Sequence, residues 1–186
     1  MVVTTDLPAE VRTALVAPLT YPEVGESLTA GAPAGYRHSE QCVRVGKGRE
    51  TFELAADAVM SWQVQRGAGL DVLASSDRVE DGAVAVVRLT VGPIKIDGAN
   101  RVVAVLDEPD RRGFAYGTLD GHPEKGEQAF VVEIDDDDTV TFTVRSFTRR
   151  ASILALLGGP LNARIQDQIA ERYLMALLEA AHQARS

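Results

Sequence analysis

The chain has 186 residues, a length that fits about one domain with room for a packed core or an enclosed cavity. Hydrophobic residues make up 45% and charged residues 25%, the balance of an ordinary soluble globular protein. With 19 Lys and Arg against 27 Asp and Glu the net charge is −8, and no basic stripe is present, so nucleic acid and anionic membrane surfaces are disfavoured as partners. The single cysteine, Cys42, supplies neither an internal disulfide nor a metal framework. It falls in the alternating stretch YRHSEQCVRVG and reads as a small half-buried strand residue. Neither a charged-then-apolar leader nor an apolar run of ~18 residues is visible. A cytoplasmic protein without membrane insertion is therefore expected.

In chain order, DLPAEVRTALVAP carries Leu7, Val11 and Leu15 at helical spacing, with Asp6 placed to cap the helix. The following LTYPEVGESLTAGAPAGY is rich in Pro, Gly and Ala and is expected to wrap over the surface. A first strand runs from Tyr36 to Val45 and ends at GKG. In RETFELAADAVMSWQVQRG the period changes, because Phe52, Ala55, Ala56, Val59 and Trp62 share a helical face and Gly67 and Gly69 stop it. Six strand-like runs follow: LDVLAS, AVAVVRLTV, RVVAVLD, RRGFAYGTL, QAFVVEI and TVTFTVRSF. The intervening DRVEDG, GPIKIDGAN, EPDR, DGHPEKGE and DDDD carry turn chemistry, and without helices between them the strands should form an antiparallel meander. Alternation is sharpest in the last two, where Phe130, Val132 and Ile134 share one face, as do Val140, Phe142 and Val144.

The C-terminus predicts a short helical segment, Ser152 to Leu157, then GGP punctuation with Pro160 in the first turn of a long helix. Leu161, Ile165, Ile169, Tyr173, Ala176, Leu177 and Ala180 form its apolar stripe, with Arg164, Asp167, Glu171 and Arg172 on the other side. About 24 residues give ~36 Å, enough to lie across a sheet. The organisation is thus one domain over 1–186: an N-terminal helix and wrapping loop (1–35), a sheet with an inserted helix at 50–66 (36–150), and a C-terminal helical segment (151–184).

This order resembles the helix-grip fold shared by START domains and Bet v 1 proteins. It implies an α+β architecture in which a curved antiparallel sheet of about seven strands wraps a long C-terminal helix. Particular motifs resemble a narrower group: LTYPEVG at 19–25, GY at 35–36, GKGRETFELAADAVMSW at 46–62, RVVAVLDEPDRRGFAYGTLDGHPEKGEQAF at 101–130 and GGPLNARIQ at 158–166. Together they resemble uncharacterised protein family 0548, bacterial and plant proteins with no established activity, over essentially Leu19 to Leu178. That family has Pro where this chain has Asp120 and Glu where it has Gln128, so the resemblance assigns no role to either side chain. It brings no catalytic residues.

The densest chemistry lies in YGTLDGHPEKGEQAF at 116–130. In an extended segment Asp120, His122 and Glu124 would share a side, as metal ligands could, but Gly121 and Pro123 break the extension and no metal is expected. The preferred reading is a stiff hairpin connection. Gly117, Gly121 and Gly126 would occupy positive-φ or crowded positions, and His122 would pin the loop to a carbonyl or carboxylate. In the adjoining strand Phe114, Tyr116 and Thr118 share a face. There Tyr116 is either an orienting donor in a cavity or a core-edge residue. Trp62 reads as a large core anchor or a cavity wall. DDDD reads as a solvated turn rather than a calcium loop, and RSFTRR as a solvated strand end. No phosphate loop, nucleotide fingerprint or G-x-S-x-G elbow occurs, and no cofactor is expected.

The leading expectation is binding of an apolar or amphipathic small molecule between sheet and C-terminal helix, contacted by Trp62, Phe114, Tyr116, Phe130 and Phe142, with His122 at the rim. An enzyme of lyase, cyclase or hydrolase type is the alternative, with His122 or Glu127 shuttling a proton and Tyr116 as electrophilic donor. A non-catalytic scaffold with a solid core is the third.

Overall fold

Period-two alternation along seven strands closes one antiparallel sheet: β1 Arg37–Lys47, β2 Asp71–Ala74, β3 Val84–Val91, β4 Ile94–Asp107, β5 Arg111–Thr118, β6 Glu124–Ile134 and β7 Thr139–Arg150. Their spatial order is β1-β7-β6-β5-β4-β3-β2, so consecutive strands from β2 to β7 are hairpin neighbours and β1 closes on β7. The helices are α1 Ala9–Val16, α2 Arg49–Met60, α3 Gln63–Gly67 and α4 Pro160–Gln183. This computed structural model describes residues 7–29, 31, 33–151 and 160–183, apart from the side chains at 91 and 160–167. Asp6, the segment 152–157, the glycines of GGP and the side chains of Leu161, Arg164, Ile165 and Asp167 lie outside the described residues.

The inner face of the sheet meets α2, α3 and α4. Phe130 and Val132 of β6 and Val140, Phe142 and Val144 of β7 are all at most 2% exposed, packed with Tyr173 and Leu177 of α4. An aromatic chain crosses this core. Trp62 meets Phe114 edge-on at 5.3 Å, Phe114 stacks on Phe130 at 5.2 Å, and Phe130 meets Tyr173 edge-on at 5.1 Å. Each fully buried aromatic contributes roughly 1.5–3 kcal/mol through burial, and such ring pairs add about 0.5–1.5 kcal/mol.

The outer face is covered by the N-terminal segment. Val11 and Ala14 of α1 pack on Val84, Val86 and Leu119. Arg101 Nη2 donates to the carbonyls of Ala14, Leu15 and Ala17 at 3.0–3.2 Å, satisfying the orphan acceptors at the end of α1 with a cation. Further along, Leu19 bridges to Leu119, and Tyr21 and Tyr36 pack edge-on against Phe147. The expected wrapping loop is therefore a strap with its own buried contacts.

Four expectations need correction. The inserted helix over 50–66 is two helices, because Trp62 takes a left-handed conformation (φ 61°) between α2 and α3. That conformation costs a bulky residue about 1–2 kcal/mol. It is offset by complete burial of the indole, whose Nε1 donates to Ser76 O at 3.1 Å. GPIKIDGAN is mostly strand: β4 begins at Ile94 and pairs with all eight residues of β3. The weak intrinsic preference of Asp97 and Gly98 is overridden by pairing, including a two-point ion pair between directly opposed Arg88 and Asp97 at 2.6 and 2.7 Å. DGHPEKGE likewise shrinks, since Glu124 to Glu127 already pair with β7. Finally, Cys42 is exposed on edge strand β1 rather than half-buried. The DDDD segment is the tight turn expected, with Asp138 N donating to Asp135 O at 2.9 Å and Asp138 at φ 64°.

Candidate functional site

One end of the inner face does not close on α4. It leaves a cavity of about 220 Å³ between β3–β7, the start of β1, and the Ile169–Tyr173 turn of α4. Strand alternation brings these side chains to the one inner face, and the strand that supplies each decides its character. Val87, Leu89 and Ile96 on β3 and β4, with Leu70 and Ile169, make an apolar wall, while Asn100, Tyr116, Gln128, Ser146 and Thr148 make a polar one. The exposed Arg37 and Arg150 stand at its edge.

Tyr116 is 6% exposed and donates to Gln128 Oε1 at 3.2 Å across the β5–β6 pair, with its hydroxyl also engaged by that of Tyr173. Burial pushes Tyr116 well above the usual tyrosine range, with the Tyr173 interaction acting in the same direction. Burial raises Tyr173 to about 12, against the opposing effect of its hydrogen bond with Tyr116. Both hydroxyls stay protonated at neutral pH.

His122 lies in the short β5–β6 connection and lines the cavity. Its Nδ1 sits 2.9 Å from Glu124 N and 3.1 Å from Glu124 O. The amide N–H can only donate and the carbonyl can only accept, so Nδ1 serves one of the two; in the tautomer that follows the shorter contact, Nδ1 accepts from Glu124 N and the ring proton is on Nε2. That nitrogen lies over β4. A Cβ added at Gly98 would come within 2.6 Å of it, so only glycine leaves space for the imidazole there. Desolvation by burial lowers His122 to about 4, against the raising effect of the Glu124 carbonyl, which favours the protonated ring. His122 thus pins the loop through a backbone amide rather than the carbonyl or carboxylate expected, and its ring borders the cavity.

Glu127 also borders the cavity, but its carboxylate parts company with these residues. It is one position out of phase with Gln128, so its carboxylate turns to the outer face. There Oε2 accepts from Tyr21 Oη at 2.6 Å and Gly25 N at 2.8 Å, and Oε1 from Ser27 N at 3.0 Å and Ser27 Oγ at 2.5 Å. Opposite it in register, Gly117 allows the approach of Tyr21, whose hydroxyl would lie 2.0 Å from a Cβ. Burial, then the Glu127 hydrogen bond, hold Tyr21 far above its ordinary pKa.

Of the other residues expected at the site, Trp62, Phe114, Phe130 and Phe142 are fully buried in the solid core and do not line the cavity. Sequence reasoning missed Asn100, Gly98 and Gln128. The signal for the first two was the period-two spacing Ile96, Gly98, Asn100, hidden in a segment with loop-like composition. Among the described residues no group of three or more His, Cys, Asp or Glu is arranged to hold a metal ion, and no helix is long and apolar enough to cross a membrane.

The family model of DUF1990, a domain of unknown function, matches residues 20–176. The chain belongs to this family. A UPF0548 protein of Deinococcus radiodurans is 34% identical to this DUF1990 chain over 175 residues, 87% of each. A UPF0548 protein of Arabidopsis thaliana is 26% identical over 151 residues, 78% of this chain and 73% of that protein. Among solved structures, the hypothetical protein jhp0584 of Helicobacter pylori superposes at TM-score 0.56 with 13% identity, covering 88% of this chain and 96% of that one. Ara h 8.0201 superposes at 0.54 with 10% identity, covering 80% and 99%. Identities this low speak to fold alone, and the DUF1990 fold here is the Bet v 1-like helix-grip: seven antiparallel strands curved against a long C-terminal helix.

Proposed function

We propose that this DUF1990 chain binds a small amphipathic molecule in the cavity between the inner sheet face and α4. The supporting observation is the division of that cavity into an apolar wall (Val87, Leu89, Ile96, Ile169) facing a polar one (Tyr116, Gln128, Asn100, His122). Apolar walls supply affinity and a few fixed polar groups supply orientation. Its volume, about 220 Å³, lies below the ~300–1,000 Å³ of pockets for drug-sized ligands and above the ~150 Å³ that accommodates benzene. A single ring with a short substituent is the size that fits. Of the residues expected to contact a ligand, Tyr116 and His122 are the ones proposed. Phe114 and Phe130 pack beside Tyr116, and Trp62 and Phe142 belong to the core.

Proton shuttling gains little support. His122 stays neutral down to about pH 4, far from the operating range of a general base, and Glu127 faces the strap. A neutral imidazole donating from Nε2 orients a ligand instead. Native mass spectrometry of protein purified from its own host provides the test. A co-purifying small molecule should be retained by the wild type and lost from Ala170→Phe, which fills the cavity from α4. Finding no bound molecule, together with no uptake of any one-ring compound, would sink the reading.

A further inference from the structure

Asn100 is 3% exposed, lines the cavity, and has only half of its amide satisfied. Its Nδ2 donates to Gly98 O at 2.9 Å. A carbonyl can only accept, so this bond fixes which way the amide points and makes the other atom an acceptor. That acceptor, Oδ1, is buried with no partner among the described residues. Buried polar atoms are nearly always paired, and an unpaired one destabilises the empty fold. Gln65 is also buried with an unpartnered amide, but it does not line the cavity.

Gly98 and Asn100 point to the same side of β4, roughly 6–7 Å apart at ~3.3 Å per residue. His122 Nε2 lies over Gly98. The polar wall therefore presents a buried acceptor and, one strand repeat away, a donor. Resting on the binding reading above, we infer that the site selects a neutral carboxamide on a one-ring body, its N–H given to Asn100 Oδ1 and its carbonyl accepting from His122 Nε2. A carboxylate has no hydrogen to give Asn100. A ketone of the same shape satisfies His122 and leaves Asn100 unpaired.

Benzamide and acetophenone differ only in the group offered to Asn100, benzoate adds a charge, and calorimetric titration of the three with the wild-type chain tests the inference. Benzamide should bind about tenfold more tightly than either of the others, the size of one net neutral hydrogen bond. In Asn100→Leu the benzamide preference should fall to about onefold while acetophenone affinity stays within about threefold. Equal binding of benzamide and acetophenone by the wild type overturns the carboxamide assignment and leaves cavity binding standing, as does a preference that survives in Asn100→Leu. Binding of none of the three overturns both. Should Asn100→Leu fail to fold, ¹⁵N-benzamide in the wild-type complex decides the matter. Slowed amide-proton exchange supports the bond to Asn100, and exchange at the free rate overturns it.

Discussion

His122 shows how one side chain comes to hold two tasks. Accepting from Glu124 N ties the β5–β6 connection, and in that tautomer the ring proton is on the nitrogen at the cavity. The arrangement carries a pH signature. His122 titrates near 4 in the fold against an ordinary 6.5, so between those values the unfolded chain takes up a proton that the folded one refuses. The stability contributed by the neutral ring is fully present above pH 6.5 and is lost as pH falls toward 4. Thermal midpoints measured from pH 7.5 to 4 should fall more steeply for the wild type than for His122→Gln. Parallel curves would mean that the imidazole is not desolvated as described.

At the scale of elements, the 19–29 strap is held by a buried carboxylate. Glu127 gathers two backbone amides and two hydroxyls from Tyr21, Gly25 and Ser27, none of them a cation, and so converts a Gly- and Pro-rich loop into a fixed layer. Hydrogen bonds to a charged acceptor are worth more than neutral ones, and removing it leaves buried donors unpaired. Glu127→Ala should cost about 3 kcal/mol, or roughly 6–12 °C in thermal midpoint for a chain of this length. Hydrogen exchange should show the Gly25 and Ser27 amides losing protection first. The break at Trp62 is the second lesson of this scale: an unbroken amphipathic pattern became two helices because the indole reached Phe114 and Ser76 only by leaving the helix.

Across the whole molecule, core and cavity occupy opposite stretches of one inner face. Phe142 pairs with Val43 and Val132 deep in the solid part, whereas Ser146 and Thr148 on the same side of β7 have reached the cavity. Phe142→Ala should therefore destabilise by about 3–5 kcal/mol, seen in chemical denaturation, while leaving benzamide affinity within about twofold below the transition. A large loss of affinity would show that core and cavity are one unit.

The sequence by itself determined what is local. Alternation in Phe130–Val132–Ile134 and Val140–Phe142–Val144, the turn at DDDD and the stripe through Tyr173 and Leu177 are written in periods of 2 and 3.6 residues, and they suffice for a hairpin meander and a long one-sided helix, but not for the closing of β1 on β7. The tertiary structure alone decided which side of the hairpin each polar residue serves. Glu127 and Gln128 are chain neighbours, yet one meets Tyr21 across 106 positions and the other Tyr116 in the cavity. Asn100 was hidden for the same reason, because Ile94 to Asn100 is strand only when β3 pairs with it. Faces and partners depend on register between distant segments, and register is an energy of pairing and burial that no short window of sequence contains.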